Sequence, residues 1–348
     1  MSSSSHFESG FQRLWSSRRH PSGWLLLPVS LLFHLLVRMR QALYRLGWLK
    51  SSRLPVPVII VGNIFVGGTG KTPLVIWLAQ QLRARGLHPG VVSRGYRSED
   101  RAPRLVGTNA LATIVGDEPL LIARRAGCPV MVGADRVAAG RELLARHPEI
   151  DVLLSDDGLQ HYALQRDVEI VLCDSRGNGN GWLLPAGPLR EPASRRRDIS
   201  VVNGHTVPPG VPDDAFLMQL DGRFAEQLVD RRHRIPLAGL AQSIDGTSPL
   251  RLLAAAGIGN PARFFSLLRQ AGLHFDELPL PDHHDFASNP FAGRDVDVIL
   301  ITEKDAVKCE QSEQLKNDPR LWVVPVEANI DASLVETIME KWRGCPIA

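Results

Sequence analysis

Cysteine is scarce and scattered: Cys128, Cys173, Cys309 and Cys345 form no C-x-x-C pair. That spacing excludes a zinc ribbon or a disulfide framework and fits a reducing compartment. No repeat recurs at a fixed period, and no low-complexity tract exceeds Ser2–Ser5. A complete G-x-G-x-x-G is missing, because Gly257-Ile-Gly259 stands alone, so a dinucleotide site is not indicated. The guanine-reading N-K-x-D is missing too; Thr302-Glu-Lys-Asp-Ala-Val-Lys308 has the wrong spacing, which favours ATP over GTP. No uncharged run reaches the roughly 20 residues that a membrane span requires.

What is present is organised around Val56–Pro73, reading V-P-V-I-I-V-G-N-I-F-V-G-G-T-G-K-T-P. A short β-branched run, a glycine-rich turn and a helical pattern follow one another, the order that makes a phosphate cradle. Gly67, Gly68 and Gly70 let backbone N–H groups point inward, Lys71 reaches the outer phosphates and Thr72 offers a hydroxyl to Mg²⁺. Phe65 occupies the place of the first glycine in the strict G-x-x-x-x-G-K-[ST] pattern, leaving the variant x-G-G-x-G-K-[ST] over Val66–Thr72. The binding loop is therefore expected to comprise Phe65, Val66, Gly67, Gly68, Thr69, Gly70, Lys71 and Thr72.

The net charge of +3 conceals an asymmetry. Residues 1–50 hold Arg13, Arg18, Arg19, Arg38, Arg40, Arg45 and Lys50 against Glu8 alone, a local excess of +6 that leaves −3 for the remainder. A basic excess confined to one end points to an anionic surface rather than to nucleic acid. The same segment is strongly apolar, and Ser30, His34, Arg38, Gln41 and Arg45 recur at helical steps. They make a narrow polar stripe on a helix over about Pro28–Leu46, which is expected to lie in a membrane interface without spanning it. Arg38-Met-Arg-Gln where a cleavage site should be argues against a secretory signal.

Strands alternate with helices over residues 56–203, predicting a parallel sheet covered on both faces. Asp117 and Glu118 begin a helix, either as dipole-complementing caps or as a base and a metal ligand. Ile150-Asp-Val-Leu-Leu-Ser-Asp156-Asp157 is a hydrophobic strand ending in acids, the placement that sets a carboxylate beside loop-bound Mg²⁺. Arg94 follows another strand, as a phosphate or substrate contact or as a loop salt bridge. The glycine- and proline-rich run from Arg176 to Pro192 is long enough to imply a binding role. Residues 206–249 read as a linker with a β-hairpin, and 250–348 as a second, smaller α/β unit. Within it, Asp282-His283-His284-Asp285 suggests a histidine oriented by a carboxylate for proton transfer. The expected architecture is thus α/β: a membrane-associated helix in 1–50, a P-loop NTPase-like domain in 51–205, the linker, and the smaller domain.

The ordered words V-G-N-x-x-V-G-G-T-G-K-T-P (61–73), S-R-G-Y (93–96), V-G-D-E-P (115–119), D-D-G-L-Q-H (156–161), L-P-A-G-P-L-R-E-P (184–192), D-H-H (282–284) and T-E-K-D-A-V-K (302–308) run through most of the chain. With them the chain resembles the tetraacyldisaccharide 4'-kinases of lipid A biosynthesis. The resemblance implies ATP- and Mg²⁺-dependent phosphorylation of the 4'-hydroxyl of a tetraacyldisaccharide 1-phosphate at the cytoplasmic face of the inner membrane, by a peripheral enzyme. It also implies two α/β/α domains joined by a two-stranded hairpin. By the same resemblance Asp117 is the catalytic aspartate, His283 its partner and Glu118 a metal ligand. Asp156 and Asp157 are the paired aspartates, and Arg94, Asp157, His161 and Arg190 face the acceptor. Two rivals stand beside it: a P-loop ATPase switch of metallochaperone type, and a soluble small-molecule kinase or ligase. Lipid-dependent ADP formation separates the three.

Overall fold

The computed structural model describes Trp15 and residues 21–95, 102–240 and 250–343. Arg13, Arg18, Arg19, Glu8, Ser2–Ser5, Tyr96 and Cys345, all named above, lie outside the described residues. The chain opens with helix α1 (Pro21–Arg45), longer at its start than the sequence pattern suggests. There follow β1 (Val58–Gly62), α2 (Lys71–Ala84), β2 (Pro89–Ser93), β3 (Arg104–Leu105), α3 (Ala112–Val115), α4 (Asp117–Arg125) and β4 (Val130–Val132). Next come α5 (Arg136–Arg146), β5 (Val152–Asp156), β6 (Val168–Asp174), β7 (Ile199–Asn203) and β8 (Phe216–Asp221). The second half holds β9 (Phe224–Gln227), β10 (Arg234–Pro236), α6 (Leu237–Leu240), β11 (Leu252–Ala256), α7 (Pro261–Gln270) and β12 (Asp276–Pro279). It ends with β13 (Val298–Thr302), α8 (Glu303–Cys309), β14 (Leu321–Val324), β15 (Glu327–Ile330) and α9 (Ser333–Arg343).

Two sheets organise these elements. The first has nine strands in the order β15-β8-β7-β6-β1-β5-β2-β4-β3, parallel except at its two edges. Its central strands are buried along their whole length, as a sheet covered on both faces requires. β1 lies between β5 and β6, so its carboxyl end opens where connections diverge to either side, the usual ligand-binding crevice of such sheets. The second sheet has six strands, β10-β9-β14-β13-β11-β12, with a parallel centre and an antiparallel β9–β10 edge.

The boundaries differ from the sequence division. Residues 206–249 are not a free-standing linker: β8 joins the first sheet beside β7, while β9 and β10 belong to the second. Nor does the second unit run to the C-terminus. β15 pairs with β8, and Leu334, Val335 and Ile338 of α9 enter the first core with Leu78 and Leu82. The chain therefore crosses between sheets twice, at Gly222–Arg223 and at Pro325–Val326, as a two-stranded ribbon. Strand pairing at that range leaves no local pattern, because β8 and β15 are more than a hundred residues apart.

α1 docks on the first unit along most of its length. Trp24 packs edge-on against Trp182 at 5.5 Å, Ser30 Oγ donates to the Leu183 carbonyl at 2.7 Å, and Gln41 donates to the Tyr162 hydroxyl at 2.9 Å. Ser30 and Gln41 of the polar stripe thus face the protein. Leu25, Leu31 and Leu35 stand outward, at 81%, 63% and 64% exposure.

Burial of three aliphatic side chains of α9 contributes roughly 5 kcal/mol or more, comparable with the stability of a whole domain. Deleting residues 327–348 is therefore expected to abolish cooperative melting of the first unit and its binding of a fluorescent ATP analogue. A truncated protein that binds the analogue normally would show that α9 is only an appendage.

Candidate active site

The loop after β1 is shaped from within by Asn63, whose buried amide donates to the Gly67 carbonyl at 3.1 Å and to Thr69 Oγ1 at 3.0 Å. Gly70 caps α2 at φ +99°, a left-handed conformation, and a side chain there would meet Asn203 Nδ2 at 2.4 Å. Lys71, first residue of α2, places Nζ 3.3 Å from Asn63 Oδ1 and 3.7 Å from Asp157 Oδ1. Thr72 follows it in the first turn. Phe65 is buried in the core beneath the Arg176 guanidinium, 4.3 Å from the ring centre, and Val66 N–H donates to the Pro188 carbonyl. Those two residues anchor the loop by packing and backbone rather than lining it with their side chains.

At the end of β5, Asp156 is buried, with Oδ2 accepting from Ser93 Oγ at 2.9 Å and Oδ1 lacking any donor. Burial, then the charges of Glu118 and Asp157, push its carboxyl up to about 6 against the pull of Lys71 and Ser93. Asp157, at φ +49°, is gripped by both ends of the Arg190 guanidinium at 2.9 and 3.2 Å. Burial would raise its carboxyl, but Lys71 and Arg190 outweigh it and hold the group at about 2. Arg190 also reaches the Asn63 carbonyl at 2.6 Å, tying the acids to the phosphate loop.

The orphaned Asp156 oxygen, crowded by other carboxylate charge, suits a cation. Among the described residues no cluster of three or more His, Cys, Asp or Glu makes a cage by itself. Asp156, with the Glu118 charge acting on it, suits Mg²⁺, which uses few protein carboxylates and completes its shell with phosphate oxygens and water.

His161 accepts from the Arg136 N–H at 3.3 Å, and burial followed by the Arg136 charge lowers its imidazole to about 4, so it is neutral near pH 7. Arg136 is itself buried, and lies within electrostatic reach of Asp156, Asp157 and the exposed Arg94. These cationic side chains and His161 gather on the Asp156–Asp157 side of the cleft.

The second unit supplies the opposite wall. His283, held at φ +57°, shares its Nδ1 with Asp117 Oδ2 at 3.0 Å across the cleft. Asp117 heads α4, is 5% exposed, and accepts the Glu118 N–H through Oδ1 at 2.9 Å. Burial alone would raise its carboxyl; the His283 hydrogen bond and the Lys304, Lys308 and His283 charges reverse this and hold it far below the usual range. His284, by contrast, accepts from the Phe286 N–H and packs edge-on against that ring, a structural role. The Gly257-Ile-Gly259 turn also finds its use here, since a Cβ on Gly259 would stand 2.8 Å from Gly68 N. It is bare so that the second unit can meet the phosphate loop. Arg263 on α7 adds a bond to the Thr69 carbonyl at 3.3 Å and another to Asp174 at 2.9 Å.

Sequence reasoning missed Asn63, Arg136, Arg176, Arg263, Lys304 and Lys308. Asn63 and the lysines lie within the shared sequence words and Arg176 heads the run read as a binding loop, but none was given a site role; Arg136 and Arg263 carried no signal.

The family model for tetraacyldisaccharide-1-P 4'-kinase, LpxK, matches residues 22–343. The chain belongs to that family. It is 62% identical over 344 residues to a tetraacyldisaccharide 4'-kinase of Janthinobacterium sp. (strain Marseille), covering 99% of both chains. Against the corresponding protein of Herminiimonas arsenicoxydans the identity is 59%, over 99% of this chain and 98% of the relative. Among solved structures, the "apo" form of LpxK from Aquifex aeolicus in complex with ATP matches at a TM-score of 0.72 and 28% identity, over 92% of this chain and 99% of that one. This protein is accordingly a kinase, with the α/β fold of its family.

Asp156→Asn removes a buried charge of which one oxygen, Oδ1, lacks a donor among the described residues. Melting is expected to rise by about 2–5 °C without Mg²⁺ while Mg²⁺-dependent stabilisation disappears, as differential scanning calorimetry would show. Unchanged Mg²⁺ stabilisation in that variant would remove Asp156 from the metal site.

Proposed function

We propose that this kinase transfers the γ-phosphoryl group of ATP to the 4'-hydroxyl of a tetraacyldisaccharide 1-phosphate in lipid A biosynthesis. The observation that carries the reading is the Asp117–His283 hydrogen bond, formed between two units where the phosphate loop meets both. The acceptor oxygen attacks the γ-phosphorus, the bond to the ADP leaving group breaks, and the hydroxyl proton passes to the Asp117–His283 pair. Lys71 and the loop amides stabilise charge on the phosphoryl oxygens. Thr72, Asp156 and Glu118 would hold Mg²⁺, which would supply further charge neutralisation on the phosphates.

Within the pair, the sequence expectation made Asp117 the proton acceptor. Its two oxygens already face the Glu118 N–H, His283 and Lys308, which makes it a weak base. An imidazole donating Nδ1–H to a carboxylate presents Nε2 as acceptor, with the carboxylate stabilising the imidazolium that forms. We therefore assign proton acceptance to His283 and orientation to Asp117. Arg94, His161, Asp157 and Arg190 are assigned to the anionic acceptor headgroup. A hydrolytic switch would have no use for an imidazole brought from a second unit. A soluble small-molecule enzyme would have none for an outward leucine face.

The same reading places α1 in the inner-membrane interface, on the cytoplasmic side where ATP is found. At 25 residues and about 1.5 Å per residue it is long enough to cross a bilayer. Yet it touches the first unit from Trp24 to Tyr44, so it lies along that unit rather than leaving it. Apolar burial plus the arginines' attraction to anionic lipid then sets the attachment.

Lys71→Ala is expected to lower kcat by about 10²-fold or more with the acceptor lipid in mixed micelles, and near-normal turnover would refute the loop assignment. Leu31→Glu with Leu35→Glu alters only the outward face. This pair is expected to release the protein from anionic vesicles in a sedimentation assay while ATP affinity stays unchanged. Undiminished sedimentation would mean that another surface holds the membrane.

A further inference from the structure

The second unit brings more than His283 to the cleft. α8 faces the head of α4 with Lys304 and Lys308, one helical turn apart. Lys304 Nζ lies 2.9 Å from Glu118 Oε1 and 3.3 Å from Asp282 Oδ1. Lys308 Nζ lies 3.4 Å from Asp117 Oδ2 and 3.4 Å from Asp305 Oδ1, with the Phe286 ring centre at 5.4 Å. Only 10% of the Lys308 side chain is exposed, and its ammonium makes no hydrogen bond of good geometry.

That placement is not explained by the fold alone. Asp305 Oδ2 already accepts from Thr302 Oγ1 at 2.7 Å and from the Gly257 N–H at 2.9 Å, so Lys308 is not its main support. Docking of α8 on α4 has its own ion pairs at the far end, Arg125 with Glu303 and Arg124 with Glu310. Lys308 is thus a buried charge poised between a carboxylate of its own helix and one across the cleft.

We propose that Lys308 is a positioning residue for the Asp117–His283 pair, delivered by the second unit together with the histidine. Its charge sits on the same oxygen, Asp117 Oδ2, that receives His283 Nδ1. A carboxylate held from two directions keeps one orientation, and the imidazole bonded to it then keeps its tautomer and aim. When the units part, Asp305 remains to pair the ammonium, so opening does not strand a bare charge. The proposal rests on the reading of Asp117 and His283 as the proton-accepting pair.

Lys308→Met, which keeps the stem and removes the charge, tests it in the full-length protein with ATP and tetraacyl acceptor. The expected result is a kcat about tenfold lower or less still, with KM for ATP within about threefold of normal. Lys308→Arg should regain part of kcat, and Lys308→Met should cost little further in an Asp117→Asn background. A kcat within twofold of normal, a loss residing in KM for ATP, or full multiplication with Asp117→Asn would each overturn the proposal. Where Lys308→Met does not fold, Lys308→Gln decides: a lowered kcat with retained ATP affinity supports the role, and an unchanged kcat refutes it. Asp117→Asn and His283→Ala measured alone keep the two readings apart. Full activity in them sinks the pair itself, whereas a large loss in them beside normal Lys308→Met sinks only the lysine.

Discussion

The hydrogen bond between Asp117 and His283 joins residues 166 positions apart, on separate sheets, and the rest of the molecule is arranged so that it can form. The carboxylate must wait at the head of α4, buried beside a phosphate loop that belongs to the first sheet. The imidazole must come from a strained turn of the second, and the approach must be close. Bare Gly259 against Gly68 permits that approach, and the ribbon at 222–223 and 325–326 joins the two units. A site divided in this way is complete only when closed, which protects ATP from water until an acceptor is in place.

Charge pairing sets how firmly it closes. Exposed ion pairs add little, but those between α4 and α8 are part-buried at both ends of the contact. Breaking a buried pair by opening would leave carboxylates and ammonium groups without partners, a costly state. Several of these groups keep a second partner inside their own unit: Lys308 has Asp305 and Lys304 has Asp282. Separating the two units would therefore leave these ammonium groups partnered, at a lower cost. Asp156 stands apart from this pairing, with an oxygen that no donor among the described residues reaches. On the proposed reading, a nucleotide-bound Mg²⁺ would complete what the polypeptide leaves unpaired.

How much of this was legible depended on range. The phosphate loop was read from consecutive residues because its chemistry is local: strand, glycines, lysine and helix start lie within Val56–Pro73. The second unit's core strands were read from their continuous apolar runs, as at Val298–Thr302. The ribbon was not, since Phe216–Asp221 and Glu327–Ile330 are short, half-exposed strands whose alternation says strand without saying which sheet. The same limit divided the site. The pairing of Asp117 with His283 came from family resemblance, not from spacing. Asn63, Arg136 and Arg263 look like ordinary loop and helix residues until the fold turns them onto Thr69, Asp157 and the loop carbonyls. Gly257-Ile-Gly259 was read only as a weak motif that indicates no dinucleotide site, and its use in contact between units was not foreseen.

One loop links the membrane helix to the chemistry. Glu191 is buried, accepts from Gln41 of α1 at 3.2 Å and is paired with Arg195; its neighbour Arg190 clamps Asp157 and the Asn63 carbonyl. Tyr162 reinforces the joint, packing on Tyr44 and receiving the Arg40 and Arg195 guanidiniums on its ring. α1 therefore cannot shift along the first unit without disturbing residues adjacent to the phosphate loop. On the proposed interfacial placement of α1, this rigidity would make the height of the cleft above the membrane depend on how deep the outward leucines sink. The long glycine- and proline-rich segment from Arg176 to Pro192 is thus a strut. It is pinned to α1 through Trp182 and Leu183 on one side and to the nucleotide loop through Pro188 and Arg190 on the other.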